Sequence, residues 1–240
     1  MRLLLTAAAT AALLTAAAPA SAADRVVAGL GTANVNGKEA TVEVLVAVPA
    51  GTSAKAAKDR AIRDQGAVPV ANEFSFTGLV WDTASLTQSY NPAGQKVNAQ
   101  SALNATYSPW STVSGSNFRI RGGGTTSRCP SLVRECPGAQ KNDRFNDVGW
   151  ARLQNGTLGV TWSTSNVDEA DMAINTRYSW TLGCTQQGSA FDLQSVFLHE
   201  NGHVAGLGHS TDAGAVMYPS YQTARCALAQ DDKNGIAALY

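Results

Sequence analysis

The chain has 240 residues, with 18 basic and 18 acidic side chains and only 15% charged residues in all. No basic block or stripe is present, which excludes the electrostatic footprint of a nucleic-acid binder. The length suffices for one sizeable core with room for a small second unit, and a surface rich in Gly, Ser, Thr and Asn but weakly charged suits an exported protein.

Residues 1–22 read as a secretory signal. Arg2 is a short positive start, Leu3 to Leu14 is an apolar run, and Ala20-Ser21-Ala22 is a small-residue cleavage site. The run is shorter than the roughly 20 residues a membrane span needs, and nothing later approaches one. The mature form is therefore expected to be extracellular, free of membrane, and a monomer. Loss of Arg2 leaves 17 basic against 18 acidic side chains, a net charge of −1.

Residues 23–80 read as a small βαβ-like unit, a pro- or accessory segment. "TVEVLVAV" (Thr41 to Val48) alternates in β fashion. "SAKAAKDRAIRDQG" predicts a helix with Ser53 as N-cap and Gly66 as its stop, and "VPVANEFSFTGLVW" predicts a second extended run. The unit holds no cysteine, no histidine and no catalytic set, so its expected role is packing or inhibition.

In residues 81–240, "YNPAGQ" is a turn and "AQSALNATYSPW" has helical spacing that Pro109 is expected to end. "NFRIRGGG" predicts a strand running into glycines. "GTLGVTW" (Gly156 to Trp162) is β-like, "EADMAINTRYSW" reads as a strand with a polar end, and "FDLQSVFLHENGHVAGLG" is helical with Asp192 as a cap. Cys129, Cys136, Cys184 and Cys226 are an even set in an oxidising setting, and three pairings are open. A local bridge could close "CPSLVREC" between Cys129 and Cys136. Cys184 and Cys226 would then clip the segments flanking the histidines. A zinc site built on these cysteines is the rival, but CxxC spacing is missing.

All three histidines fall in "HENGHVAGLGHS". On a helix His199 and His203 project from one face a turn apart, and Glu200 adjoins the first of them. Gly206 can take a positive φ and turn the chain so that His209 reaches the same point. Gly202 and Gly208 are expected to permit close approach of neighbouring backbone. Three nitrogen ligands leave a fourth position open, the mark of one catalytic zinc rather than a structural one. A bare HExxH can be a chance helix face; the turning glycine and third histidine argue against that here.

These residues resemble the matrixin branch of the metzincins, whose pattern HExxHxxGxxH uses three histidines for zinc and the glutamate as general base. Met217 in "AVMYPSY" is similar to the Met-turn beneath the zinc, and Ser210, "MYP" and the closing "LAQDDKNGIAALY" fit the same branch. The resemblance implies an α+β catalytic domain over 81–240, with a twisted mixed sheet, a backing helix and an active-site helix. It further implies that "GTLGVTW", with Leu158 and Gly159, is an edge strand for extended substrate, and that Pro219 and Tyr221 line the pocket for the residue after the scissile bond. Val160 and Ala173 stand where ligands of a second, structural zinc would be, so one zinc is expected. Calcium stays open through Asp143, Asp147, Asp168 or Asp171, although Asn175 and Tyr178 replace acidic positions and a solvated acidic face is the favoured reading. No cysteine precedes Cys129, so a propeptide thiol on the zinc is absent. The expected function is that of a secreted, bacterial zinc endopeptidase acting on protein or peptide substrates. The alternatives are a secreted binding or adhesion protein on the same scaffold, or another zinc hydrolase such as a cell-wall amidase.

Overall fold

The computed structural model describes residues 25–35, 38–48, 53–69, 80–130, 143–164 and 168–240. The export signal and Cys136 lie outside these residues, as does most of the second extended run. The hairpin of β1 (Arg25–Val35) and β2 (Lys38–Val48) pairs along its whole length. β2 contains the predicted Thr41–Val48 run; β1, with two glycines and an asparagine, carried no strand signal of its own. α1 (Ala54–Asp64) starts on Ser53, whose hydroxyl accepts from Ala56 N at 3.4 Å. Gly66, at φ +76°, follows its end, so both predicted helix signals are used. β3 (Val68–Pro69) is the start of the second extended run.

β4 (Ser85–Tyr90), β5 (Arg119–Thr125), β6 (Asn146–Ala151), β7 (Thr157–Thr164) and β8 (Ala170–Asn175) join the hairpin in one sheet of order β3-β1-β2-β7-β8-β6-β4-β5. β8, β6, β4 and β5 run parallel, whereas β7 is antiparallel to β8 and β2 is antiparallel to β7. This is the expected α+β architecture with a mixed sheet. The N-terminal segment, read from sequence as a unit apart, shares that sheet.

Pro109 does not end a helix. α2 (Gln100–Ala105) stops first, and Pro109 is the third residue of a new short helix, α3 (Tyr107–Ser111). Amides of a helix's first turn have no intrahelical acceptor, so a proline costs nothing there. A small two-stranded sheet of β9 (Trp180–Thr181) and β10 (Phe191–Asp192) leads into α4 (Leu193–Val204), and α5 (Gln230–Leu239) closes the chain. No helix of the described residues is long and apolar enough to cross a membrane.

The sheet has two apolar faces. On one, Leu158, Met172 and Ile174 pack with Trp110 of α3 and Val196 and Phe197 of α4. On the other, Val160, Trp162 and Ala173 pack with Val42, Val44, Val46 and Val48 of β2 and with Ala61 and Ile62 of α1. Val160 and Ala173, both 0% exposed, thus lie beneath the N-terminal segment. That burial gives their apolar character a physical reason.

Candidate metal centre

α4 is buried almost all round, from Ser195 to Val204. Its start is fixed by the Asp192 carboxylate, which accepts from Ser195 N and Ser195 Oγ, both at 2.7 Å. His199 and His203 sit one turn apart with their Nε2 atoms 2.9 Å from each other. Beyond Val204 the helix ends and Gly206, at φ +93°, turns the chain. His209 comes back to ring-centroid distances of 5.6 Å from His199 and 5.0 Å from His203. A ligand nitrogen of each ring lies within 4.8 Å of the others.

The donor chemistry fits a cation. His199 Nδ1 lies 2.8 Å from Val216 O, and His203 Nδ1 lies 2.8 Å from Leu207 O. A carbonyl can only accept, so each Nδ1 carries the proton and each Nε2 presents its lone pair. Two lone pairs 2.9 Å apart repel unless a positive ion takes both. Burial, followed by the charge of the neighbouring His209, pushes His199 down to about 3, which keeps it a neutral ligand near pH 7. Three imidazole nitrogens are a zinc donor set. The other converging group among the described residues, Cys184, Asp192 and Cys226, has its sulfurs joined in a disulfide with Cα atoms 5.8 Å apart. That bridge was one of the expected pairings. Cys129 is also disulfide-bonded.

Glu200 is 0% exposed, and its Oε2 accepts from the Thr161 hydroxyl of β7. A Cβ on Gly159 would lie 3.0 Å from Glu200 Oε1. Gly159 therefore makes room for the carboxylate while Thr161 orients it. Nothing in the sequence signalled either contact, because β7 and α4 meet only in the folded chain.

Met217 packs against α4 at Gly202 and borders the same pocket as His209. A Cβ on Gly202 would stand 2.2 Å from Met217 Sδ and 2.9 Å from Trp110 Cζ2, so the close approach at Gly202 is by side chains, not backbone. Trp110 Nε1 donates to Leu198 O at 2.9 Å. Asp232 of α5 holds the Met217 turn: its carboxylate accepts from Val216 N at 2.8 Å, Met217 N at 3.0 Å and Ala229 N at 2.8 Å. Burial raises the Asp232 pKa and these three donors oppose the shift. Neighbouring Asp231 accepts from Ser210 Oγ. The two acids were visible in "LAQDDKNG", but only as part of a resemblance.

A pocket beside the histidines is lined by Leu45, Val196, His199, Val216, Tyr221 and Arg225, among others. The Tyr221 hydroxyl accepts from Asp192 N at 2.9 Å, and burial pushes it up to about 12. Pro219 is half-buried and is not among the lining residues. The Leu158 side chain is fully buried in the main core. The outer side of β7, expected to be a free edge, carries β2, with Gly159 opposite Leu45.

Of the four acids left open for calcium, Asp147 and Asp171 are 1% and 2% exposed, so they do not belong to a solvated face. Asp147 takes a two-pronged contact from Arg128 at 2.9 Å, and Asp171 accepts from Asp147 N at 2.6 Å. Asp168 lies 4.0 Å from Arg144, and Asp143 accepts from Phe145 N at 2.9 Å.

Comparison with known proteins places residues 81–240 in a match to the matrixin family. Interstitial collagenase of Equus caballus is 31% identical over 179 residues, covering 72% of this chain and 36% of that protein. Matrix metalloproteinase-25 of Mus musculus is 28% identical over 186 residues, covering 73% of this chain and 29% of that protein. Metalloendoproteinase 1 of Glycine max is 59% identical over a shorter stretch of 54 residues, 22% of this chain and 18% of that protein. The chain spans about a third or less of the length of these relatives.

Proposed function

The chain belongs to the matrixin family, and from that membership and the geometry of its three histidines we propose that it is a secreted zinc-dependent endopeptidase acting on internal bonds of protein substrates. One observation carries the reading: three ring nitrogens within 4.8 Å of one another, adjoining a fully buried glutamate.

His199, His203 and His209 hold one zinc ion, and Met217 and the Val216 and Leu207 carbonyls keep the rings in place. When bound, zinc supplies Lewis acidity, making water a stronger acid and the peptide carbonyl a better electrophile. Glu200 is the general base: its carboxylate takes the proton of the attacking water and passes it to the leaving amine. Thr161 donates to Oε2 and so orients the carboxylate for that proton. Tyr221 lines the pocket that receives the residue after the scissile bond, and Leu158 and Gly159 belong to the strand that substrate joins.

Residues 1–22 act as the export signal of a bacterial protein, 23–80 as a pro- or accessory unit and 81–240 as the catalytic unit. The Cys184–Cys226 bridge supports an oxidising compartment. A binding or adhesion role gains no specific support from a site that keeps its glutamate.

The test separates chemistry from coordination. Glu200→Ala should keep its zinc by elemental analysis while peptide hydrolysis falls about 10²–10⁴-fold, whereas His203→Ala should lose the metal itself. A folded, zinc-loaded Glu200→Ala protein working at the wild-type rate would overturn the assignment.

A further inference from the structure

The pocket beside His199 is lined by two kinds of surface. Val196 of α4 and Val216 offer alkyl groups, whereas the loop after Met217 contributes polar ones, Ser220, Tyr221 and Arg225 among them. Among the described lining residues only Arg225 carries a fixed charge. The free volume is about 20 Å³. That holds a group of about water size, such as a carboxylate on a short stem, and is too small for a leucyl or phenyl group.

Arg225 is anchored to the start of α4. Its backbone N donates to Ser195 Oγ at 2.7 Å, and Ser195 Oγ donates in turn to the Asp192 carboxylate. The next residue, Cys226, is bridged to Cys184. The guanidinium meets only neutral oxygens: Nη2 donates to Ala213 O at 2.7 Å and Nη1 to Ser220 O at 3.5 Å. No carboxylate pairs with it among the described residues. A guanidinium carries more N–H donors than these two carbonyls use. Burial raises the Tyr221 pKa, and the Arg225 charge is among the groups that oppose the rise, so its field reaches the pocket. An alkyl occupant would strip water from this cation and return nothing, whereas a carboxylate would form a charge-assisted pair.

We propose that Arg225 makes this pocket select an acidic side chain, aspartate before glutamate, in the residue after the scissile bond. The inference rests on the endopeptidase reading and names the peptide bonds that the site cuts, those on the amino side of an acidic residue. The short stem of aspartate packs against Val196 and Val216, and its carboxylate accepts from the guanidinium. Ser195 and the Cys184–Cys226 bridge then serve recognition as well as stability, because they fix where the charge stands.

The test gives the zinc-loaded full chain peptides that differ only after the cleaved bond, where they carry aspartate, asparagine or leucine. Asparagine keeps the shape of aspartate without its charge. The aspartate peptide should exceed the asparagine peptide in kcat/KM by about tenfold or more, as a charge-assisted hydrogen bond implies. The ratio should shrink as salt rises. In Arg225→Gln it should fall to near one, and Arg225→Glu should favour lysine. If a variant fails to fold, the wild-type comparison of aspartate with asparagine decides by itself. Peptide hydroxamates bearing the same side chains repeat that comparison as binding, read by calorimetry. Equal values for aspartate and asparagine, a preference for leucine, or an acid preference that survives Arg225→Gln overturns the inference alone. A zinc-loaded chain that cuts none of the peptides and binds none of the hydroxamates sinks the endopeptidase reading, and the acid preference with it.

Discussion

The two sides of β7 are built differently. Its inner side meets the candidate metal centre through directed contacts: Thr161 to the Glu200 carboxylate, space at Gly159 for the same group, and the close packing of Met217 and Trp110 at Gly202. Its outer side meets β2 and α1 through a backbone ladder and interleaved alkyl groups, next to a cleft of about 470 Å³. Directed polar contacts fix one geometry, because a misplaced buried partner costs its full desolvation. Alkyl contact is tolerant of sliding and separation. The difference is that between a cluster fixed by directed polar contacts and a layer held by a backbone ladder and alkyl packing.

The sharpest challenge to the rigid side is Asp232→Ala. It leaves the buried amides of Val216 and Met217, and the part-buried amide of Ala229, without their carboxylate, and each buried donor so stranded costs about 1–3 kcal/mol. The expected outcome is a loss of about 3 kcal/mol or more in urea unfolding, accompanied by weaker zinc retention through the freed Val216 carbonyl. Unchanged zinc retention would show that the turn holds its shape without α5.

Thr161→Val tests the same side at the reacting group. With Glu200 no longer held, kcat should fall about tenfold, worth about 1.4 kcal/mol, while KM stays and Thr161→Ser restores the rate. A change in KM alone would make Thr161 a substrate contact rather than a positioning residue.

The mildest change addresses the outer layer. Ile62 of α1 is 1% exposed, and Ile62→Val should cost about 0.5–1.5 kcal/mol. That loss should appear as faster exchange in β1, β2 and α1, with zinc retention untouched. A loss of zinc from this variant would mean that the two sides form one cooperative unit, and the comparison would fail.

What was legible in the sequence is what neighbours along the chain decide. The His199/His203 spacing, the turn at Gly206, the Asp192 and Ser53 caps and the β2 alternation each depend on a few consecutive residues and their dihedral preferences. Family resemblance extended this to Met217 and to the α+β class. Pro109 misled because the same residue that stops a helix also suits its first turn, and the choice lay with Thr106, where α2 gives way to α3. Strands β1, β4 and β6 gave little signal, being glycine-bearing, partly polar or short.

The sequence by itself placed three histidines, the adjoining glutamate and the turn that joins them within eleven residues, His199 to His209, on one helix and its exit. Only the tertiary structure decided what holds and covers them. Asp232 reaches the Met217 turn, Thr161 reaches Glu200 across 39 positions, and β2 lies on β7 more than a hundred residues away. Such contacts leave no period in the sequence, because they come from burial and ladder pairing between segments that chain order keeps apart.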